Sequence, residues 1–321
     1  MREFKIQKND VGQRLDKFVG KVTTNLSGPL LYKYLRKKAI KVNGKKQEIS
    51  YRLQENDVVT LYINDEFFVD GRPEFLKVLG RYELNILYED ENILLIDKKP
   101  GLIVHEDEGE KTHTLINYIL AYLYEQKEYD PEKENSFTPA LCNRIDKNTG
   151  GIVIAAKNAA AGREIYKIIK ERRINKYYLT LVHGKMPKQS EILCAYHKKD
   201  AKMNQVYISN REQVDYKPIK TGYKVLHTNG RISLLEVCLY TGRTHQIRAH
   251  LAHIGHPLVG DTKYGTREKN AGLPFSYQAL YAYKLRFNIA DPNSPLCYLN
   301  GKEFVAPHVY FERYIKEGTL E

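Results

Sequence analysis

No stretch of the 321 residues is apolar for the length of a membrane-spanning helix, and Met1 to Asn9 alternate charged with apolar side chains where a secretory leader needs a greasy run. A cytoplasmic chain with no membrane partner is implied. The four cysteines, Cys142, Cys194, Cys238 and Cys297, stand far apart, leaving no close pair to clamp a metal or run thiol redox chemistry. Low-complexity tracts, internal repeats and phosphate-cradling glycine motifs are also missing. What is present is an apolar fraction of 42%, enough for a packed core, and a net charge of +12. Such a balance suits a polyanionic partner, because lysine and arginine gain affinity by displacing counterions from phosphates, although a basic surface alone identifies no ligand. The length fits one large domain plus a small one.

Residues 1–70 read as a small basic α/β module. Leu15, Phe18, Val19 and Val22 share one face of a helix, and a second helix from about Pro29 to Lys38 carries Leu30, Leu31, Tyr34 and Leu35 as its stripe. Lys33, Arg36, Lys37 and Lys38 form a dense cationic cluster at its exit. A strand at Ile40 to Val42, an Asn43-Gly44 turn and a strand at Val58 to Ile63 follow. The pairs Leu15-Asp16 and Val42-Asn43-Gly44 resemble the hallmarks of the S-four-type RNA-binding domain.

Asp65 to Arg81, with Gly71 and Pro73, reads as a connector to a second domain at 82–321. There, strands are expected at Ile86 to Tyr88, Ile93 to Ile96, Ile152 to Ala156, Tyr177 to Val182 and Ile232 to Leu239, with a helix on Leu115, Ile116, Ile119, Leu120 and Leu123. Strands interrupted by irregularly spaced helices point to an α+β class.

The richest stretch for chemistry is Asn143 to Gly151, where one acid, Asp146, sits between Arg144 and Lys147 and just ahead of an apolar strand. A carboxylate in that company can act as a nucleophile. The plainer alternative is an Asx turn, in which Asp146 bonds only its own backbone. No second carboxylate lies nearby, so the acid/base pair of a glycoside hydrolase is not suggested. In Lys176 to Gly184, strand alternation puts Tyr178, Thr180 and Val182 on one face and Tyr177, Leu179 and Leu181 on the other. In Thr241 to Asp261, Thr244 is a plausible N-cap, Ile247, Leu251 and Ile254 form a buried stripe, Gly255 suits the C-cap, and Arg248 falls off the stripe. His245, His250, His253 and His256 invite a metal reading, but no two share i, i+4 spacing and the last lies past the glycine, so no metal is assigned.

Together these stretches resemble the RluA family of pseudouridine synthases, in the family's order along the chain. Arg144, Ile145, Asp146, Thr149 and Gly151 match its signature His-Arg-Leu-Asp, two variable residues, Thr-Ser-Gly, with Asn143 where histidine is usual and Gly150 where serine is usual. The resemblance implies a mixed, largely antiparallel sheet with flanking helices, a cleft lined by the catalytic residues Asp146, Tyr178 and Arg248, and no cofactor. It also implies RNA as partner, ribosomal favoured over transfer RNA, gripped by Lys33, Arg36, Lys37 and Lys38, with Arg144 filling the gap left by an extruded uridine. A monomer suffices for this. The departures at 143 and 150 bear on the details of RNA contact and turn rigidity rather than on the reaction, and they motivate a rival reading, an RNA-binding or ribosome-assembly factor with a retired site.

Overall fold

The computed structural model describes residues 1–24, 26–68, 73–200, 202–312 and 314. Asp70, where the small module was expected to end, Gly71 of the connector and residues 315–321 lie outside them. The chain opens with β1 (Arg2–Lys5), α1 (Leu15–Val22), α2 (Gly28–Arg36), β2 (Ile40–Val42) and β3 (Val58–Leu61). Leu15, Phe18 and Val19 of α1 are fully buried, as are Ile40, Val42, Val59 and Leu61 of the strands. Burial at roughly 1.5–3 kcal/mol per large side chain stabilises helices of eight and nine residues that would not persist alone. Both residues of the Asn43-Gly44 turn have positive φ, 50° and 73°, and Val42 and Lys45 exchange backbone hydrogen bonds across it. Asn43 then ties the turn to β3: its amide donates to Asp57 Oδ1 at 2.7 Å and its oxygen accepts from Val58 N at 2.8 Å.

The second sheet has eleven strands: β4 (Ile86–Glu89), β5 (Ile93–Lys98), β6 (Ala140–Leu141), β7 (Gly150–Ala156), β8 (Ile174–His183), β9 (Ser190–Asp200), β10 (Gln205–Ser209), β11 (Lys217–Thr228), β12 (Ile232–Leu239), β13 (Leu280–Phe287) and β14 (Glu303–Val305). The helices α3 (Leu115–Glu125), α4 (Ala159–Lys170) and α5 (Gln246–His253) flank it. Its main order is β10-β9-β11-β12-β8-β13-β7-β5-β4, with β13 and β7 paired in parallel. The architecture is therefore the mixed, largely antiparallel α+β one that the sequence implies. Parallel pairing brings β13 so close to Gly151, at φ 113°, that a Cβ there would meet the Ala282 carbonyl at 2.2 Å.

The alternation of β8 separates two cores. Tyr178 and Val182 face α3 residues, Ile247 and Leu251, whereas Leu179 and Leu181 face Ile165 and Ile168 of α4. The connector contributes as well: its turn Glu74–Val78 buries Phe75 and Val78 in the core of Tyr178. A polar seam joins the two sheets' units. Buried Asp10 accepts from Asn135 Nδ2 at 2.8 Å, Asn9 donates to Glu134 at 2.9 Å, and Asn9 Oδ1 accepts from Ala159 N at the start of α4. No helix among the described residues is long and apolar enough to cross a membrane.

Candidate active site

Asp146 lies in the loop between β6 and β7, and that loop is pinned on both flanks. Upstream, Asn143 Oδ1 accepts from Ile154 N at 2.7 Å and Ile145 packs into the core. Downstream, Thr149 N donates to the Asp146 carbonyl at 3.0 Å and buried Thr149 accepts from Gln278. From beneath, Lys98, 1% exposed, donates from Nζ to the carbonyls of Lys99, Leu102 and Lys147, each at 2.9 Å. Burial pushes the Lys98 ammonium down to about 7, against the pull of Asp146 and Asp97. Three carbonyls match the three N–H groups of its charged form.

The Asp146 carboxylate is not spent on an Asx turn. Its Oδ2 accepts from Arg248 Nη1 at 2.9 Å, with 27% of the side chain exposed. Arg248, on α5 and off the apolar stripe as its spacing predicts, is held from behind: Nε and Nη2 donate to the two oxygens of Asp261 at 2.7 and 3.0 Å. Asp261 is fully buried and also accepts from the backbone N–H of Lys263 and Tyr264. Burial works against both charges, but the pairing wins, holding Arg248 above its ordinary value and Asp261 below its own. Two donors of the guanidinium fork are thus fixed and a third is aimed at Asp146. Tyr178, 7% exposed, lies within electrostatic reach: burial first, then the Asp146 charge, raises its hydroxyl, so it stays a neutral phenol.

The structure brings Asp146, Tyr178 and Arg248 together. Arg144 is exposed on the same loop, while Lys33, Arg36, Lys37 and Lys38 are exposed on and just after α2. The two departures from the family pattern both have structural uses. The amide of Asn143 serves the β7 backbone, and Gly150 makes room for Tyr281, since a Cβ there would come within 2.4 Å of the ring. Tyr281 in turn donates to buried Asp97 at 2.7 Å.

One sequence expectation is corrected here. Thr244 does not cap α5; the N-cap is His245, in the left-handed region at φ 51°, and the Thr244 carbonyl instead meets His197 Nε2 at 2.9 Å. His245 stands beside the site, with Nε2 3.9 Å from Asp146 Oδ2 and Nδ1 2.9 Å from the Tyr264 hydroxyl. The other histidines have separate partners: His250 with Thr221, His253 with Asn210, His256 with the His183 carbonyl. Sequence reasoning gave no role to Lys98, Asp261, His245 or Tyr264. Asp261 closes the third motif and was the findable one, an acid in the same motif as Arg248.

An acid clamped by an arginine beside a buried tyrosine, on a loop between strands, is also where the chain matches known proteins. The family model described as RNA pseudouridylate synthase matches residues 92–253, spanning Asp146, Tyr178 and Arg248. An uncharacterized RNA pseudouridine synthase of Aquifex aeolicus is 32% identical over 296 residues, covering 89% of this chain and 88% of that protein. A protein named ribosomal large subunit pseudouridine synthase C in Vibrio cholerae is 29% identical over 295 residues, covering 90% and 89%. The solved human RNA pseudouridylate synthase domain containing 4, at 20% identity and a TM-score of 0.55, covers 74% of this chain and 93% of its own and shares the fold. With the motifs in this order and these matches along most of its length, the chain belongs to the RluA family of RNA pseudouridine synthases, enzymes that isomerise uridine in RNA.

Proposed function

We propose that the chain converts selected uridines of structured RNA, in large-subunit ribosomal RNA before transfer RNA, to pseudouridine, with Asp146 as the nucleophile. The observation that carries this reading is the Asp146 carboxylate, partly exposed yet held by Arg248, which Asp261 grips from behind. A nucleophile fixed this way loses little freedom on reaching the transition state. The uridine is extruded from its stack, Asp146 attacks ribose or base, the glycosidic bond at N1 breaks, the uracil turns, and ring carbon C5, two positions from N1, bonds to the ribose; Asp146 is released, C5 gives up its proton and N1 takes one up. Tyr178 supplies a ring for the extruded base to stack on and a neutral hydroxyl for proton handling. The reaction is an isomerisation, so its atoms and electrons balance without an oxidant, a reductant or a nucleotide.

Arg144, exposed on the Asp146 loop, is assigned to the gap the uridine leaves. Lys33, Arg36, Lys37 and Lys38, on a unit of S-four type spanning residues 1–70, are assigned to the RNA backbone. The ribosomal preference rests on the relative named for the large subunit. Incubation with uridine-labelled transcript tests the reading: Asp146→Asn is expected to lower pseudouridine formation by a factor on the order of 10⁴ while RNA binding stays within a few-fold. Turnover by that variant at the wild-type rate would overturn it.

A further inference from the structure

From the contacts around His245 we infer that it is a positioning residue for Asp146, presenting a neutral Nε2–H to the carboxylate because Tyr264 and strand β10 fix its tautomer. The inference rests on Asp146 being the nucleophile. It begins with a donor that cannot change role: Val206 N–H, on β10, donates to the Tyr264 oxygen at 3.1 Å. The Tyr264 hydroxyl proton is then directed to its other polar neighbour, His245 Nδ1, at 2.9 Å. With Nδ1 accepting, a neutral imidazole carries its proton on Nε2, the nitrogen that faces Asp146 Oδ2 at 3.9 Å. That separation is too long for a hydrogen bond in the free protein and is of the kind that tightens when substrate closes the site.

Independent features point the same way. His245 adopts the left-handed conformation at φ 51°, an unfavourable state for a histidine that the surroundings impose and that aims the ring at the site. A buried histidine on β9, His197, grips the Thr244 carbonyl just before it, so the β9–β10 hairpin braces His245 from two directions. The ring is 10% exposed and meets Tyr264 edge-on at 5.7 Å, while the Arg248 guanidinium lies over the other ring at 5.3 Å. The charged groups around the imidazole are Asp146, Arg248, Lys263 and Asp261; burial lowers its proton affinity, and Arg248 and Lys263 add to that against the two acids. Burial likewise pushes the Tyr264 hydroxyl up to about 12, so it remains a donor throughout the working range.

A neutral donor orients the carboxylate without adding a second full cation beside Arg248. When acid protonates His245, the ring becomes that second cation, binds the carboxylate tightly and holds it back from attack. The acid limb of the rate profile therefore belongs to His245.

The experiment compares His245→Ala, His245→Gln and Tyr264→Phe in the full-length protein, measuring kcat and KM on a uridine-labelled transcript between pH 5 and 8, with thermal melts as a folding control. His245→Ala is expected to lose on the order of tenfold to a hundredfold in kcat at little change in KM. His245→Gln, whose amide N–H replaces Nε2–H, recovers most of that loss and no longer shows the acid limb. Tyr264→Phe, freed to the other tautomer, falls between the two. The inference is overturned if Gln is as poor as Ala, or if the acid limb survives in His245→Gln. Asp146→Asn, run alongside, separates the two claims: an active Asp146→Asn sinks the nucleophile assignment, whereas an inert one together with wild-type kcat and pH profile in His245→Ala sinks the positioning role alone.

Discussion

In the N-terminal unit Lys33, Arg36, Lys37 and Lys38 all stand in solvent on and after α2, whereas in the large domain Arg248 and Asp261 lie 9% and 0% exposed, paired with each other and with Asp146 and the Lys263 and Tyr264 amides. The units also meet through a polar seam around Asp10, Asn135 and Asn9, while the large sheet is closed by apolar cores on both faces. The difference separates two uses of charge. Exposed cations act through long-range attraction that salt weakens, and they need no fixed geometry. Buried ones act through position, and their loss is felt as misplaced chemistry and as an unpaired charge.

The comparison breaks first, if it breaks, at Asp261. Asp261→Ala leaves Arg248 buried without its main partner and free to swing from Asp146; it is expected to cost about 3–5 kcal/mol of stability, read from urea unfolding, and on the order of a hundredfold in kcat. Near-wild-type values for both would mean that the clamp is not a fixed unit. A smaller effect is expected from removing residues 1–70: RNA affinity drops on the order of tenfold and its dependence on salt becomes shallower, while kcat at saturating RNA changes less. Filter binding across a salt series checks this, and an unchanged salt slope would place the electrostatic grip elsewhere.

The mildest effect sharpens the contrast in pH. Burial pushes the His250 ring down to about 4 from an ordinary 6.5. Because the unfolded chain takes up that proton and the native chain does not, the stabilisation is complete above the ordinary value and is lost as pH falls from 6.5 toward 4. At pH 5.5 the loss is about 1 kcal/mol, and His250→Gln should remove it. The shortened protein lacking 1–70 should keep the same slope, since the group lies in the large domain. Equal slopes for wild type and His250→Gln would show that the ring does not titrate this way.

Several parts of this arrangement were legible in the sequence because they rest on local periodicity. The β8 alternation separated Tyr178 from Leu179, β12 fell at its expected limits, and the spacing of Ile247 and Leu251 left Arg248 on the polar side of α5. Other parts depend on partners distant in the chain. Lys98 finds the Lys147 carbonyl 49 residues away, and no periodicity encodes that. The connector hid Phe75 and Val78 among charges and turn formers, so its turn read as a tether, not as part of the core. At α5 a threonine in good capping position lost to His245, because a left-handed backbone at a residue other than glycine leaves no mark in composition.

The ring of Tyr281 beneath Gly150 limits how motifs can be exchanged among relatives. Grafting the family-usual serine onto position 150 alone would drive its Cβ into that ring, whose hydroxyl is anchored on Asp97. The ring would have to tilt and leave a buried carboxylate without its donor. Positions 150 and 281 therefore have to be redesigned as a pair, with a smaller residue at 281 and a new partner for Asp97, before a hybrid loop can seat Asp146 where the native one does.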